Sequence, residues 1–125
     1  MQHLMSKILI VDDSPTQLHS LRKIVEQGGY EAIVADCGER ALEVASDQQP
    51  KVILMDIVMP GMNGYQATRH LGRNAGTANI PVIFVSTRSD EADKLWGMRQ
   101  GARDYVTKPV DPQVLLSAIS AAMAA

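Results

Sequence analysis

Five short apolar runs punctuate the chain, at Ile8–Val11, Ala32–Ala35, Val52–Met55, Val82–Val85 and Tyr105–Val106. Each is rich in β-branched or small apolar residues and too short for a helix, so each predicts a buried strand. The segments between them carry apolar residues at helical spacing. Ser14 followed by Pro15 marks the start of the first helix, which places Leu18, Leu21, Ile24 and Val25 on one stripe and ends at Gly28-Gly29. A second helix is expected over about Glu39–Ser46, and a third follows Gly64 with Ala67 and Leu71 facing inward. A fourth opens at Ser89 or Asp90, packs Ala92, Leu95 and Trp96, and stops at Gly101; a fifth starts from Asp111-Pro112.

Strict alternation of strand and helix, with strands that are nearly continuous in apolar character, predicts a parallel sheet covered on both faces. Five such units make an α/β, flavodoxin-like doubly wound (βα)5 domain with a five-stranded parallel sheet. In that architecture ligands bind beyond the carboxyl ends of the strands, where the strand order reverses. The residues just after each strand therefore become the candidates for chemistry.

Composition narrows the classes. With 125 residues, 46% hydrophobic and 21% charged, the chain has the size and balance of one globular domain, and no run approaches the roughly 18 apolar residues of a membrane span. Membrane insertion is not expected. Nothing in the first residues resembles a secretory signal, and the lone Cys37 cannot form an internal disulfide, so a cytoplasmic location is expected. The net charge of -2 and the scattered basic residues argue against nucleic-acid binding. His3, His19 and His70 are far apart and share no metal-ligand spacing, which favours surface or packing roles.

The informative feature is acidic. Strand one ends Val11-Asp12-Asp13 and strand three ends Met55-Asp56, which delivers three carboxylates to one sheet edge. Two unit charges about 5 Å apart at an effective dielectric near 20 repel by roughly 3 kcal/mol. Three call for a counter-ion, and a few hard carboxylate oxygens suit Mg²⁺, which keeps several waters and completes its shell with phosphate oxygens. The bland reading of Asp12 and Asp13 is a pair of caps on the helix that follows. Strand four ends Ser86-Thr87 and strand five ends Thr107-Lys108-Pro109, adding hydroxyls and an ammonium to the same edge. A carboxylate nucleophile, a metal, a hydroxyl donor and a cation are the parts needed to make and discharge an acyl phosphate.

Asp12-Asp13-Ser14, the run from Met55 to Gly64, Ser86-Thr87 and Thr107-Lys108-Pro109 together resemble the signature of CheY-like response-regulator receivers, over about Lys7 to the end. On that resemblance residues 1–6 are an N-terminal extension and 7–125 a receiver domain with no output domain. The resemblance implies Asp56 as phosphoacceptor, with Asp12, Asp13, Asp56 and the main-chain carbonyl of Val58 holding Mg²⁺. It implies Ser86 and Lys108 as phosphoryl contacts. Ser86 and Tyr105 form the implied switch, the ring turning inward as the hydroxyl moves toward the phosphoryl group. Met55–Arg69, Asp93–Lys94, Trp96-Gly97, Arg99–Tyr105 and Thr107–Asp111 are similar to the PilH-type regulators of twitching motility by type IV pili. Val58, Thr87 and Arg88 depart from chemotaxis CheY at positions that tune dephosphorylation in the family.

The implied function is a phosphorylation-dependent binding module in a two-component phosphorelay, not a turnover enzyme. Phosphate comes from a histidine kinase or phosphotransfer domain. Output goes to a downstream protein target, or to self-association, through the face of helix four, strand five and helix five; after Asp111 that last helix carries no charged side chain. The alternatives are a small phosphatase with Asp56 as nucleophile, a flavin-binding protein on the same architecture, and a degenerate receiver acting as a scaffold. The phosphatase would need an acid two residues after Asp56, where Val58 stands. A flavin phosphate calls for amides and hydroxyls after strand one, where carboxylates stand.

Overall fold

The computed structural model describes residues 5–124. Its elements alternate without exception: β1 (Lys7–Val11), α1 (Pro15–Gln27), β2 (Glu31–Ala35), α2 (Gly38–Gln48), β3 (Val52–Met55), α3 (Gly64–Arg73), β4 (Val82–Ser86), α4 (Glu91–Arg99), β5 (Asp104–Thr107) and α5 (Pro112–Ala124). All strand pairs are parallel, in the order β2-β1-β3-β4-β5. The predicted (βα)5 architecture is the observed one. Of the extension read from residues 1–6, the first four lie outside the described residues, as does His3; Ser6 already accepts the Glu31 amide beside β1.

The apolar runs are continuous because the sheet is covered twice. Leu9, Val11, Ile53, Met55 and Phe84 face one side, where Ala41, Val44 and Ala45 of α2 and Ala67 and Leu71 of α3 close over them. Ile8, Ile10, Val52, Leu54, Ile83 and Val85 face the other, under Leu21 and Val25 of α1 and Leu115, Ala118 and Ile119 of α5. Successive strand residues point to opposite faces, and here both faces are core.

Helix ends follow local chemistry. Ser14 caps α1 through its side chain on the Gln17 amide with Pro15 behind it, and Asn63 and Gln66 make a reciprocal capping box at α3. Cys37 takes the cap position of α2, its sulfur accepting from the Arg40 amide at 3.4 Å.

Helix α4 corrects the sequence reading. Ala92 is exposed, Leu95 and Trp96 are 56% and 50% exposed, and Gly97 is the one residue of the helix that is buried. The cause is the aromatic floor beneath it. A Cβ at position 97 would meet the Phe84 ring at 3.0 Å and the Tyr105 ring at 3.1 Å, so any larger residue would have to push the rings aside for the helix backbone to settle there. The large apolar residues are turned outward as a result. Residues 74–80, between α3 and β4, form a run of turns anchored by the buried Thr77, whose hydroxyl donates to the Leu71 carbonyl at 2.8 Å.

Candidate functional site

The chain runs from β1 outward to the edge strand β2 and then returns to the central β3 on the other side of β1. The carboxyl ends of β1 and β3 therefore flank the point where the strand order reverses, which is where this architecture places ligands. The ladder continues past both ends: the Asp56 amide donates to Val11 O at 2.9 Å and the Asp12 amide to Ala35 O at 3.2 Å. Each acid is held by backbone as well as by its own side chain.

One carboxylate oxygen from each of Asp12, Asp13 and Asp56 lies within 4.8 Å of the other two, with Asp12 buried, Asp13 exposed and Asp56 between. The helix-cap alternative for Asp12 and Asp13 does not hold, since Ser14 is the cap and Asp12 Oδ1 accepts the Ser14 amide at 3.0 Å. Lys108 reaches into the cluster from the end of β5, its Nζ 2.8 Å from Asp12 Oδ2 and 3.6 Å from Asp56 Oδ1. Asp56 Oδ1 also accepts the Ile57 amide at 3.0 Å.

Burial pushes the Asp56 carboxyl up from 3.8 to about 6, and the neighbouring Asp12 charge adds to it; Lys108 and the Ile57 amide pull the other way, and Asp13 raises it slightly further. A crowded acid of this kind is stabilised by any cation that joins it. Hard oxygens at this spacing fit a small divalent ion with water in its remaining positions. Val58 stands two residues beyond Asp56 in the same loop and is 60% exposed.

Ser86 and Thr87 separate clearly: Ser86 is buried at the end of β4, and Thr87 is exposed. Ser86 is tied to β5 through its carbonyl, which accepts the Lys108 amide at 2.8 Å, and its Oγ accepts the Arg88 amide at 3.1 Å. Tyr105 is half-buried, edge-on to Phe84 with ring centroids 6.2 Å apart, and its hydroxyl donates to the Arg88 carbonyl at 2.7 Å. Burial holds the Tyr105 phenol above its usual range, with the Ser86 hydroxyl the largest influence in the other direction. The implied site residues are thus brought together at one edge, with Tyr105 one layer behind.

Residues 8–120 match the response regulator receiver domain. The chain belongs to the response-regulator receiver family. This receiver is 52% identical over 120 residues to Protein PilH of Pseudomonas aeruginosa, covering 96% of this chain and 99% of that protein. It is 34% identical to the phosphate regulon transcriptional regulatory protein PhoB of Escherichia coli, spanning about half of that longer protein (51%). Among solved structures, a putative response regulator from Chloroflexus aurantiacus superposes with a TM-score of 0.93 at 30% identity, covering 98% of this chain and all of that one. The chemotaxis protein CheY4 of Vibrio cholerae gives 0.88 at 28% identity, over 95% of this chain and 99% of that one. Receivers are not a classical enzyme family, and the family match over residues 8–120 stands against the phosphatase and flavin readings. Among the described residues no helix is long and apolar enough to cross a membrane.

Two contributors to the receiver site escaped the sequence reading. Gly64 has no site role in the sequence analysis, only that of a helix start and the last residue of the receiver-like run, yet a Cβ there would sit 2.2 Å from the Asp56 carbonyl, so the site loop closes on α3 only over glycine. Arg88, noted only as a departure from chemotaxis CheY, places its amide on Ser86 and its carbonyl on Tyr105. The first could have been found from the Gly that ends the Asp56 segment; a backbone contact such as the second leaves no mark in residue type.

Proposed function

We propose that this receiver is phosphorylated on Asp56 in the presence of Mg²⁺ and signals by phosphorylation-dependent protein binding. The observation that carries the reading is the convergence of three strand-end carboxylates on one oxygen cluster with Lys108 bridging Asp12 and Asp56. An Asp56 carboxylate oxygen attacks the phosphorus of a phosphohistidine on a kinase or phosphotransfer domain; the phosphorus–nitrogen bond breaks, and an aspartyl phosphate forms. Asp12, Asp13, Asp56 and the Val58 carbonyl are the residues to hold the ion, which when bound neutralises charge gathering on the transferring oxygens. Lys108 and Ser86 supply an ammonium and a hydroxyl to those oxygens. Return of water to the aspartyl phosphate ends the signal.

The response is read on the face of α4, β5 and α5, beside Tyr105. A groove of about 430 Å³ runs there, lined by Tyr105, Val106, Val114, Ala118 and Ala121 among others. Leu95, Trp96 and Met98 stand exposed on the adjoining helix. Likeness to PilH supports a cytoplasmic role in type IV pilus twitching motility or a related chemotaxis-like pathway. Incubating the protein with acetyl phosphate and Mg²⁺ should add one phosphoryl group by intact mass, and Asp56→Asn should add none. Phosphate found on Asp56→Asn would move the acceptor elsewhere.

A further inference from the structure

We propose that Arg88 is a positioning residue that couples the Ser86 hydroxyl to helix α4, through its ion pair with Asp93; the inference rests on the phosphoacceptor reading of Asp56. Three contacts meet at this one residue. Its amide donates to Ser86 Oγ at 3.1 Å, its carbonyl accepts from the Tyr105 hydroxyl at 2.7 Å, and its guanidinium lies 3.4 Å from Asp93 Oδ1 in the first turn of α4.

Helix α4 is lightly held, which gives such a contact leverage. It adds no side chain to either core cluster, and its seat on the sheet is the bare backbone of Gly97 over Phe84 and Tyr105. Asp90, at the cap position, makes no side-chain cap hydrogen bond. The far end is tied by Arg69 to Gln100 and the middle by the edge contact of Trp96 with Tyr65. At the end nearest the acidic cluster, the Arg88–Asp93 pair is the side-chain tie between the β4–α4 loop and the helix.

The geometry assigns a direction. With the pair formed, the Arg88 carbonyl is held where the half-buried Tyr105 ring reaches it. A phosphoryl oxygen that accepts the Ser86 proton draws Oγ toward Asp56, and the Arg88 amide, bonded to that same Oγ, moves with it. The pair therefore favours the inward Tyr105 arrangement, and by linkage it favours the phosphoryl-bearing state.

The test is a double-mutant cycle on beryllofluoride affinity, measured by calorimetry in Mg²⁺ for wild type, Arg88→Met, Asp93→Asn and the double variant. Each single change should weaken beryllofluoride binding about two- to fivefold, the range for a partly exposed ion pair, and the double should weaken it no further. Arg88→Lys should recover most of the loss. In a Tyr105→Phe background, which has no hydroxyl to seat on the carbonyl, Asp93→Asn should have no effect. If Arg88 touched the phosphoryl group directly, Asp93→Asn would free it and tighten binding; that result, additive singles, or singles equal to wild type overturns the proposal. No binding by wild type itself overturns the Asp56 reading and this one together.

Discussion

Lys108 is closer to Asp12 than to Asp56, with Nζ 2.8 Å from the first carboxylate and 3.6 Å from the second, and both members of the closer pair are nearly excluded from solvent. The lysine that the sequence assigns to a phosphoryl group is, before any phosphoryl arrives, the counter-ion of a buried aspartate. On the proposed function, phosphorylation would ask it to change partners, and a metal beside Asp12 would make the change easier by taking over that carboxylate.

Lys108→Ala should therefore have a cost that depends on Mg²⁺. Without the ion, the substitution leaves the Asp12 carboxylate buried and without its cation, an arrangement that destabilises by about 3–5 kcal/mol. In millimolar Mg²⁺ the penalty should shrink, because the ion supplies the missing charge. Urea denaturation of both proteins with Mg²⁺ and with chelator measures the difference. An identical penalty in the two conditions would show that the Lys108–Asp12 pair and the metal do not share a carboxylate.

Asp56 governs a stability change with pH. Its folded-state value of about 6 lies above the ordinary 3.8, so the folded protein holds this proton more tightly than the unfolded chain does. Stability from this group is fully present below about pH 4 and is lost as pH rises through about 6, the reverse of a salt-bridged carboxylate. The loss amounts to roughly 2–3 kcal/mol at neutral pH. Metal-free Asp56→Asn should be more stable than wild type by about that much at pH 7, and the gap should close on acidification to pH 4. Thermal melts across that range are the check, and a gap that stays constant would contradict it.

Much of this was legible in the sequence, for a physical reason. A sheet buried on both faces writes its strands as unbroken apolar runs, so Ile8–Val11, Val52–Met55 and Val82–Val85 lie within the observed strands to a residue. The acids at their ends then fall on one edge by topology alone. Helix α4 was misread because amphipathic spacing assumes that large apolar residues face the core, and Phe84 and Tyr105 already fill the space beneath Gly97. The partner of Lys108 was equally hidden, since a flexible side chain at a strand end reaches both Asp12 and Asp56 and only their relative burial decides between them.

Mg²⁺ should stabilise the protein through the three acids, by about 2.7 kcal/mol at a hundredfold excess over its dissociation constant. Asp13 is the exposed member of the cluster. Asp13→Ala should accordingly remove most of the Mg²⁺-dependent gain while leaving the metal-free protein as stable as wild type or slightly more so, because like charges are relieved. Differential scanning fluorimetry over a Mg²⁺ titration reads both effects. A wild-type melting temperature indifferent to Mg²⁺ would remove the metal from this site.

Output through the α4–β5–α5 face makes the strongest demand on the surface beside Tyr105. Exposed residues of a soluble domain usually include charges, yet α5 presents Val114, Ser117, Ser120, Ala121 and Met123 outward, and α4 adds Leu95, Trp96 and Met98. Small uncharged residues let another backbone approach closely, and the exposed indole of Trp96 supplies a large contact area next to them. Phosphorylation that biases Tyr105 and α4 by about 1–3 kcal/mol would change affinity for a partner 5- to 150-fold. Ala121→Glu places a charge in the groove between β5 and α5, far from the acidic cluster, and should weaken binding of the beryllofluoride-activated protein while leaving Asp56 phosphorylation intact. Ser46→Glu on the exposed side of α2 is the matched control and should do neither. Sedimentation of the activated protein, alone for self-association and with a candidate target, measures both variants on one scale. If Ala121→Glu binds as wild type does and Ser46→Glu does not, output runs through the opposite side of the domain.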